Sequence, residues 1–181
     1  MSLAQQAVAL NNTSPSAHNV LSQAYVYTKQ HERAIAAAKR AIALAPSDAE
    51  GLASLSVILI FAGRPEEAIE SLKQAMRLSP RYPVNYLSYL GMAYRLAGRP
   101  EEAIATLQRA LRRNPEYLAP HFHLAVLYSE LGRLEEARAE GAEFLRLSPN
   151  FSVEWLKQFM AFKDPAEVER YVTGLRKAGL K

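Results

Sequence analysis

Prolines close four similar segments of this 181-residue chain, Pro46, Pro80, Pro115 and Pro149, at intervals of 34, 35 and 34 residues. Ala34, Ala68, Ala103 and Ala137 keep the same intervals. Ala41, Ala75 and Ala110 do so too, with Phe144 in the fourth place. Gly63, Gly98 and Gly132 stand five residues before three of those alanines, in the near copies GRPEEA, GRPEEA and GRLEEA. Self-similarity at this period means stacked supersecondary units, none of which can bury its apolar face alone.

Each unit reads as two amphipathic helices. The first runs into a glycine turn, as in LGMAYRLAGR. The second opens on proline and paired glutamates, as in PEEAIATLQRALRRNP. Pro65 and Pro100 suit a first helical turn, where the missing N–H is not needed. Glutamates there face the positive end of the helix dipole. The alanines let helices approach closely, and the closing prolines stop the second helix.

These residues resemble the tetratricopeptide repeat. The third repeat fits that pattern nearly throughout with Leu87, Leu90, Gly91, Tyr94, Ala103, Leu107, Ala110 and Pro115. The fourth has His121, Leu124, Ala125, Tyr128, Ala137 and Pro149, and departs at Gly141 and Phe144, which puts its helix packing in doubt. The first carries His18, Leu21, Ser22, Tyr25, Ala34, Ala38, Ala41 and Pro46; the second carries Leu52, Leu55, Ser56, Leu59, Ala68, Leu72, Ala75 and Pro80. The resemblance implies an all-α, right-handed superhelical array, an α-solenoid of ten to eleven helices with a C-terminal capping helix. The expected organisation is a second helix of a truncated preceding repeat at 1–14, repeats at 15–48, 49–82, 84–117 and 118–151, and a partial repeat with capping helix at 152–181.

The two ends break the pattern. Shifted by one period, AVALNN falls on AIALAP, so the first residues read as a helix without its partner. Two origins fit. One is a piece cut from the C-terminal end of a longer protein, with Met1-Ser2-Leu3 contributed by a vector. The other is a natural capping helix. After Pro149, SVEWLKQFMAF begins like a fifth repeat but no glycine turn follows. Asp164-Pro165 makes an N-cap and first-turn pair. Val168, Tyr171, Val172 and Leu175 then share a helix face, and Gly179 is a stop. The stretches LRLSPNF and FKDPAEVERYVTGLRKAGL, with MRLSPRYPVNYLSYLGMAYRLAGRPEEA, are similar to the repeat tails of large bacterial signalling proteins. In those proteins the repeats follow a class III adenylate or guanylate cyclase domain or a winged-helix domain. That resemblance implies chemistry outside this chain.

Catalytic and metal chemistry find no foothold. The chain has no cysteine, which removes disulfides, thiolate metal sites and cysteine nucleophiles. His121 and His123 are two apart, where a zinc pair on one helix wants four. GRPEEA lacks the Lys-Ser/Thr of a phosphate loop, and its glutamates recur at one helix start as structural residues do. No catalytic residue, metal or cofactor is expected. LASLSVILIFAG is too short to span a bilayer and the start is no signal peptide, so no membrane contact and a cytoplasmic location are expected. Arg77, Arg112 and Arg146 recur at one place in successive repeats. Cations in a last helical turn complement the dipole by about 0.3–1 kcal/mol each. An acidic protein partner is the other reading of this row. With a net charge of only +4 and no aromatic residues interleaved, nucleic acid is not expected.

The resemblance implies non-catalytic recognition of a protein or peptide in a concave groove lined by the first helices. The candidate residues are Asn19, Gln23, Val57, Ile60, Ser88, Met92, Arg95, Phe122, Val126 and Ser129. The lysine of the family's carboxylate clamp is missing. Val57, Ile60, Met92, Phe122 and Val126 make the middle of the groove apolar, which suits an amphipathic helix or an extended apolar peptide. The chain's own C-terminal segment or a second copy could equally fill it. A homo-oligomer formed through the exposed repeat edge is an alternative reading.

Overall fold

The structure is a computed structural model and describes residues 3–181. Met1 and Ser2, part of the Met1-Ser2-Leu3 start for which a vector origin is one of the two readings above, lie outside the described residues. Eleven helices and no strand occur among the described residues. They divide into two compact units.

The first unit runs to Tyr82 and includes the later segment Ala161–Lys163. It contains α1 (Leu3–Leu10), α2 (Pro15–Tyr27), α3 (His31–Leu44), α4 (Ala49–Phe61) and α5 (Pro65–Leu78). Helix α2 pairs with α3 and α4 with α5, as antiparallel hairpins. Ala34, Ala38, Ala68 and Ala75 have no exposed surface, so the periodic alanines sit at the closest helix approaches. Ala4 and Val8 of α1 pack on a cluster formed by Leu21, Ala24 and Tyr25 of α2 with Ala37 of α3.

The second unit comprises Pro83–Met160 and Asp164–Lys181. It contains α6 (Asn85–Leu96), α7 (Pro100–Arg113), α8 (Leu118–Glu130), α9 (Leu134–Leu147), α10 (Val153–Phe159) and α11 (Pro165–Lys177). Helices α6 and α7 form one hairpin, α8 and α9 another, and α11 packs on α8. A Cβ on Gly91 would lie 2.5 Å from Leu107 Cγ, so this position needs glycine for α6 to reach α7.

One local device repeats at the hairpin turns. Gly63, Gly98 and Gly132 have φ of 73°, 69° and 73°, the left-handed conformation that ends a first helix. In the first repeat Lys29 takes that place with φ 56°. The next residue is an N-cap arginine in three repeats. Arg64, Arg99 and Arg133 each grip the glutamate three residues on, Glu67, Glu102 and Glu136. Arg99 and Arg133 also lie over the Tyr94 and Tyr128 rings, 4.7 and 4.5 Å from their centroids. The second glutamate of GRPEEA is therefore a bidentate arginine partner as well as a dipole charge.

Candidate functional site

The candidate residues fall on the faces of the first helices, and each unit presents its own. In the first unit, α2 and α4 supply them. Gln23 is exposed, Asn19 and Val57 are half-buried, and Ile60 is fully buried. The Asn19 Oδ1 atom is buried and has no hydrogen-bond partner. At the C-terminal end of α4 the segment Ala161–Lys163 is docked. The Phe162 ring meets Phe61 edge to face, with centroids 5.0 Å apart. The Lys163 N–H donates to the Phe61 carbonyl at 2.8 Å, and its ammonium reaches Glu32 at 3.2 Å. Beside Glu32, His31 is buried with both ring nitrogens unpartnered, and burial, then Lys163, pushes its pKa down.

In the second unit, α6 and α8 supply Ser88, Met92, Arg95, Phe122, Val126 and Ser129. Helix α11 lies on this face. Gly174 approaches so closely that a Cβ there would stand 3.1 Å from Val126 Cγ1 and 3.2 Å from Val126 Cα. The Ser129 hydroxyl donates to the Gly174 carbonyl at 2.8 Å. The Tyr171 ring stacks on Phe122, with centroids 5.8 Å apart and planes at 21°. Val126, Val172 and Leu175 are wholly buried. The Ser88 hydroxyl is buried without a partner, and Met92 is buried.

Arg95 is the electrostatic centre of this face. Its side chain is 4% exposed and lies between two carboxylates. It donates to Glu130 of α8 through Nε at 2.8 Å and through Nη2, and to Glu167 of α11 through Nη1 at 3.3 Å. Its guanidinium carbon also sits 4.4 Å from the Tyr171 ring centroid. Burial works against the charge, but Tyr171, Glu130 and Glu167 together hold the pKa above the ordinary arginine value. Burial pushes Tyr171 up to about 12. His123 is pushed down to about 3, by burial and then by Arg95. Its Nδ1 lies 3.4 Å from the Tyr171 hydroxyl.

The other sequence candidates are placed as follows. His18 and His121 turn Nε2 to the carbonyls of Asn12 and Pro115, at 2.9 and 3.0 Å, so the same packing position serves both loops. His121 also meets Glu140 at 2.6 Å. Arg146 is bonded to Glu143 of its own helix. Among the described residues, no group of three or more His, Asp or Glu could hold a metal ion. No helix there is long and apolar enough to cross a membrane.

Sequence reasoning placed Tyr171, Val172 and Leu175 on one face of a capping helix. It named the C-terminal segment as one possible occupant of the groove, but not the pairing of Glu167 with Arg95 or of Gly174 with Val126. Gly174, an isolated glycine inside a helical run, was the available signal, since such residues often mark a close approach. The Trp155 and Phe159 rings of α10 lie 4.5 Å apart with their planes tilted at 43°, yet both remain more than half exposed.

Comparison with known proteins agrees with this architecture. Sequence profiles described as Tetratricopeptide repeat match residues 15–48, 48–116 and 94–143. A thermophilic repeat protein of Thermus thermophilus, TTC0263, is 29% identical. The match covers 96% of this chain and 88% of that one, with a TM-score of 0.72. PilW, a type IV pilus biogenesis factor, shares the fold at 19% identity over 97% of this chain and 78% of its own, with a TM-score of 0.76. YrrB, a repeat protein with an unusual peptide-binding site, does so at 19% identity over 98% and 91%, with a TM-score of 0.61. The comparison with curated proteins finds no match. Together the period, the paired helices, the buried alanines and the profiles place this chain in the tetratricopeptide-repeat family.

Proposed function

We propose that this protein is a non-catalytic scaffold that recognises a helical or extended segment of a partner protein on the faces of its first helices. The fold supports a role in protein–protein interaction, and YrrB shows a peptide-binding site on a related architecture. The observation that carries the reading is the packing of α11. The face made by Phe122, Val126 and Ser129 holds an amphipathic helix through apolar contacts and a hydrogen bond. Helix-in-groove recognition needs those elements. In the first unit, Asn19, Gln23 and Val57 offer the corresponding surface.

The test is a photocrosslinking amino acid placed at Gln23 or Val57, with Ala105 on the exposed side of α7 as control. Capture of one protein from source-cell extract at the first two positions, lost in Gln23→Arg and Val57→Arg, is expected. Equal capture at Ala105 would overturn the assignment. The tail resemblance supports a setting as the C-terminal module of a larger bacterial signalling protein. An antibody blot of source cells should then show a band far above 20.1 kDa; a band at that mass overturns the setting.

A second reading is self-association. Leu3, Leu10, Val20 and Tyr27 of α1 and α2 are exposed at 84, 88, 55 and 75%. Contiguous exposed apolar surface marks contact sites. Light scattering over a range of concentrations tests it, and a strict monomer removes it.

A further inference from the structure

We propose that the α6–α8 face is a recognition site for an amphipathic helix bearing a carboxylate, an aromatic ring and a small residue in succession, and that α11 is its built-in, displaceable occupant. This deepens the reading above and rests on it.

Helix α11 is a complete ligand in itself. It has its own start, with the Asp164 carboxylate accepting from the Ala166 N–H at 2.9 Å and Pro165 in the first turn. It has its own stop at Gly179, with φ 92°. Between them, the residues that touch the face follow one helical stripe. Glu167 meets Arg95, Tyr171 meets Phe122, Gly174 meets Val126, and Leu175 is fully buried. The face reads each with a different chemistry. Glu130 belongs to the face itself, so displacing α11 would leave Arg95 one carboxylate partner and open the donors that now meet Glu167 to a second. Phe122 takes an aromatic plane. Val126 excludes any Cβ larger than the approach allows, and Ser129 supplies a donor to the backbone carbonyl that the small residue bares.

Outside the stripe, Val172, Ala178 and Leu180 are buried and the Val153 N–H donates to the Lys181 carbonyl at 2.9 Å, so a packed seat holds α11 as well as the stripe does. Lys157–Glu169 and Arg176–Glu154 are pairs of largely exposed side chains. Such pairs contribute little. Tethering gives α11 an effective concentration on the order of millimolar, so a partner helix must bind tightly enough to overcome it. A partner carrying the same stripe would do so by exchange.

The probe is a fluorescein-labelled peptide of residues 164–181. It is titrated into the full chain and into a full chain with Glu167→Lys, Tyr171→Ala and Gly174→Leu, which loosen α11 and leave the face untouched. Circular dichroism establishes that the loosened chain keeps its helices. It should bind the peptide at least about tenfold more tightly than the unmodified chain, by relief of the tethered competitor. A peptide carrying Glu167→Lys should lose that gain. A folded, loosened chain that ignores the peptide, or takes the Glu167→Lys peptide equally well, overturns the proposal.

Should the triple variant unfold, a protease site inserted between Lys163 and Asp164 replaces it. After cleavage of the folded protein, α11 should leave on dilution and the labelled peptide should take its place. A cut helix that stays bound and never exchanges refutes displacement. Crosslinking at Gln23 and Val57 reads the first unit alone, so its failure and the failure of exchange are separate results.

Discussion

Alanine is a better helix former than glycine by about 1 kcal/mol, so replacing Gly141, inside α9, should on local grounds stabilise the protein. The surroundings reverse that sign. A Cβ at Gly141 would stand 2.3 Å from the Ala178 carbonyl oxygen and 2.9 Å from Leu180 Cδ1. The first of these is backbone, which cannot rotate away as a side-chain end can, so the turn after α11 must lift. Ala178 and Leu180 are 3% and 1% exposed. Full re-exposure of a buried leucine costs about 1.5–3 kcal/mol. The Val153 N–H to Lys181 carbonyl bond, at 2.9 Å, is part of the same closure. It is worth about 1 kcal/mol net. A partial lift forfeits part of both, and after the helix gain the expected loss is about 1–2 kcal/mol. Ending the chain after Lys177 removes the clashing atoms. In that background Gly141→Ala should stabilise by up to about 1 kcal/mol. Urea unfolding followed by circular dichroism measures both effects, as midpoint shifts at constant slope. Gly141→Ala that stabilises the full chain, or acts with the same sign in both backgrounds, would refute the reasoning.

Arg95→Ala leaves Glu130 and Glu167 facing each other without their cation. It should cost about 3 kcal/mol, and the triple change Arg95→Met, Glu130→Gln, Glu167→Gln should recover most of that in the same unfolding assay. Stability should fall on acidification. The folded protein keeps His123 neutral down to about 3, while its ordinary value is 6.5. The unfolded chain therefore binds the extra proton first, and about 2 kcal/mol is lost between about pH 7 and 5. His31, lowered by burial and by Lys163, adds in the same direction, and His123→Gln should flatten the slope of unfolding free energy against pH. Lys29→Gly relieves a left-handed conformation at φ 56°. It should raise stability by about 0.5–1 kcal/mol, read as a higher melting temperature.

What the sequence made legible was whatever the period repeats. Ala34, Ala68, Ala103 and Ala137 are wholly buried because every hairpin needs the same close approach, and one requirement written four times is visible without a structure. The glycine turns were legible for the same reason, and Lys29 was not, because its left-handed turn carries no glycine to announce it. The α11 docking occurs once. Arg95 and Glu167 are 72 residues apart and Ser129 and Gly174 are 45 apart, and no periodicity links them. Arg95 looked like an ordinary groove-lining residue because its position in the repeat is shared by Val26, Ile60 and Ser129. Its two carboxylate partners could not be read from that register. The departures of the fourth repeat did carry information, although only as anomalies. Gly141 is where the Ala178 carbonyl enters α9, and the Phe144 ring meets those of Phe122 and Phe151 at 5.6 and 4.8 Å. Gly141 abandons the apolar side chain its siblings keep because its neighbour is the C-terminal segment, which makes that broken position the sequence's own record of the docked tail, whereas Phe144 records the aromatic packing of its own repeat.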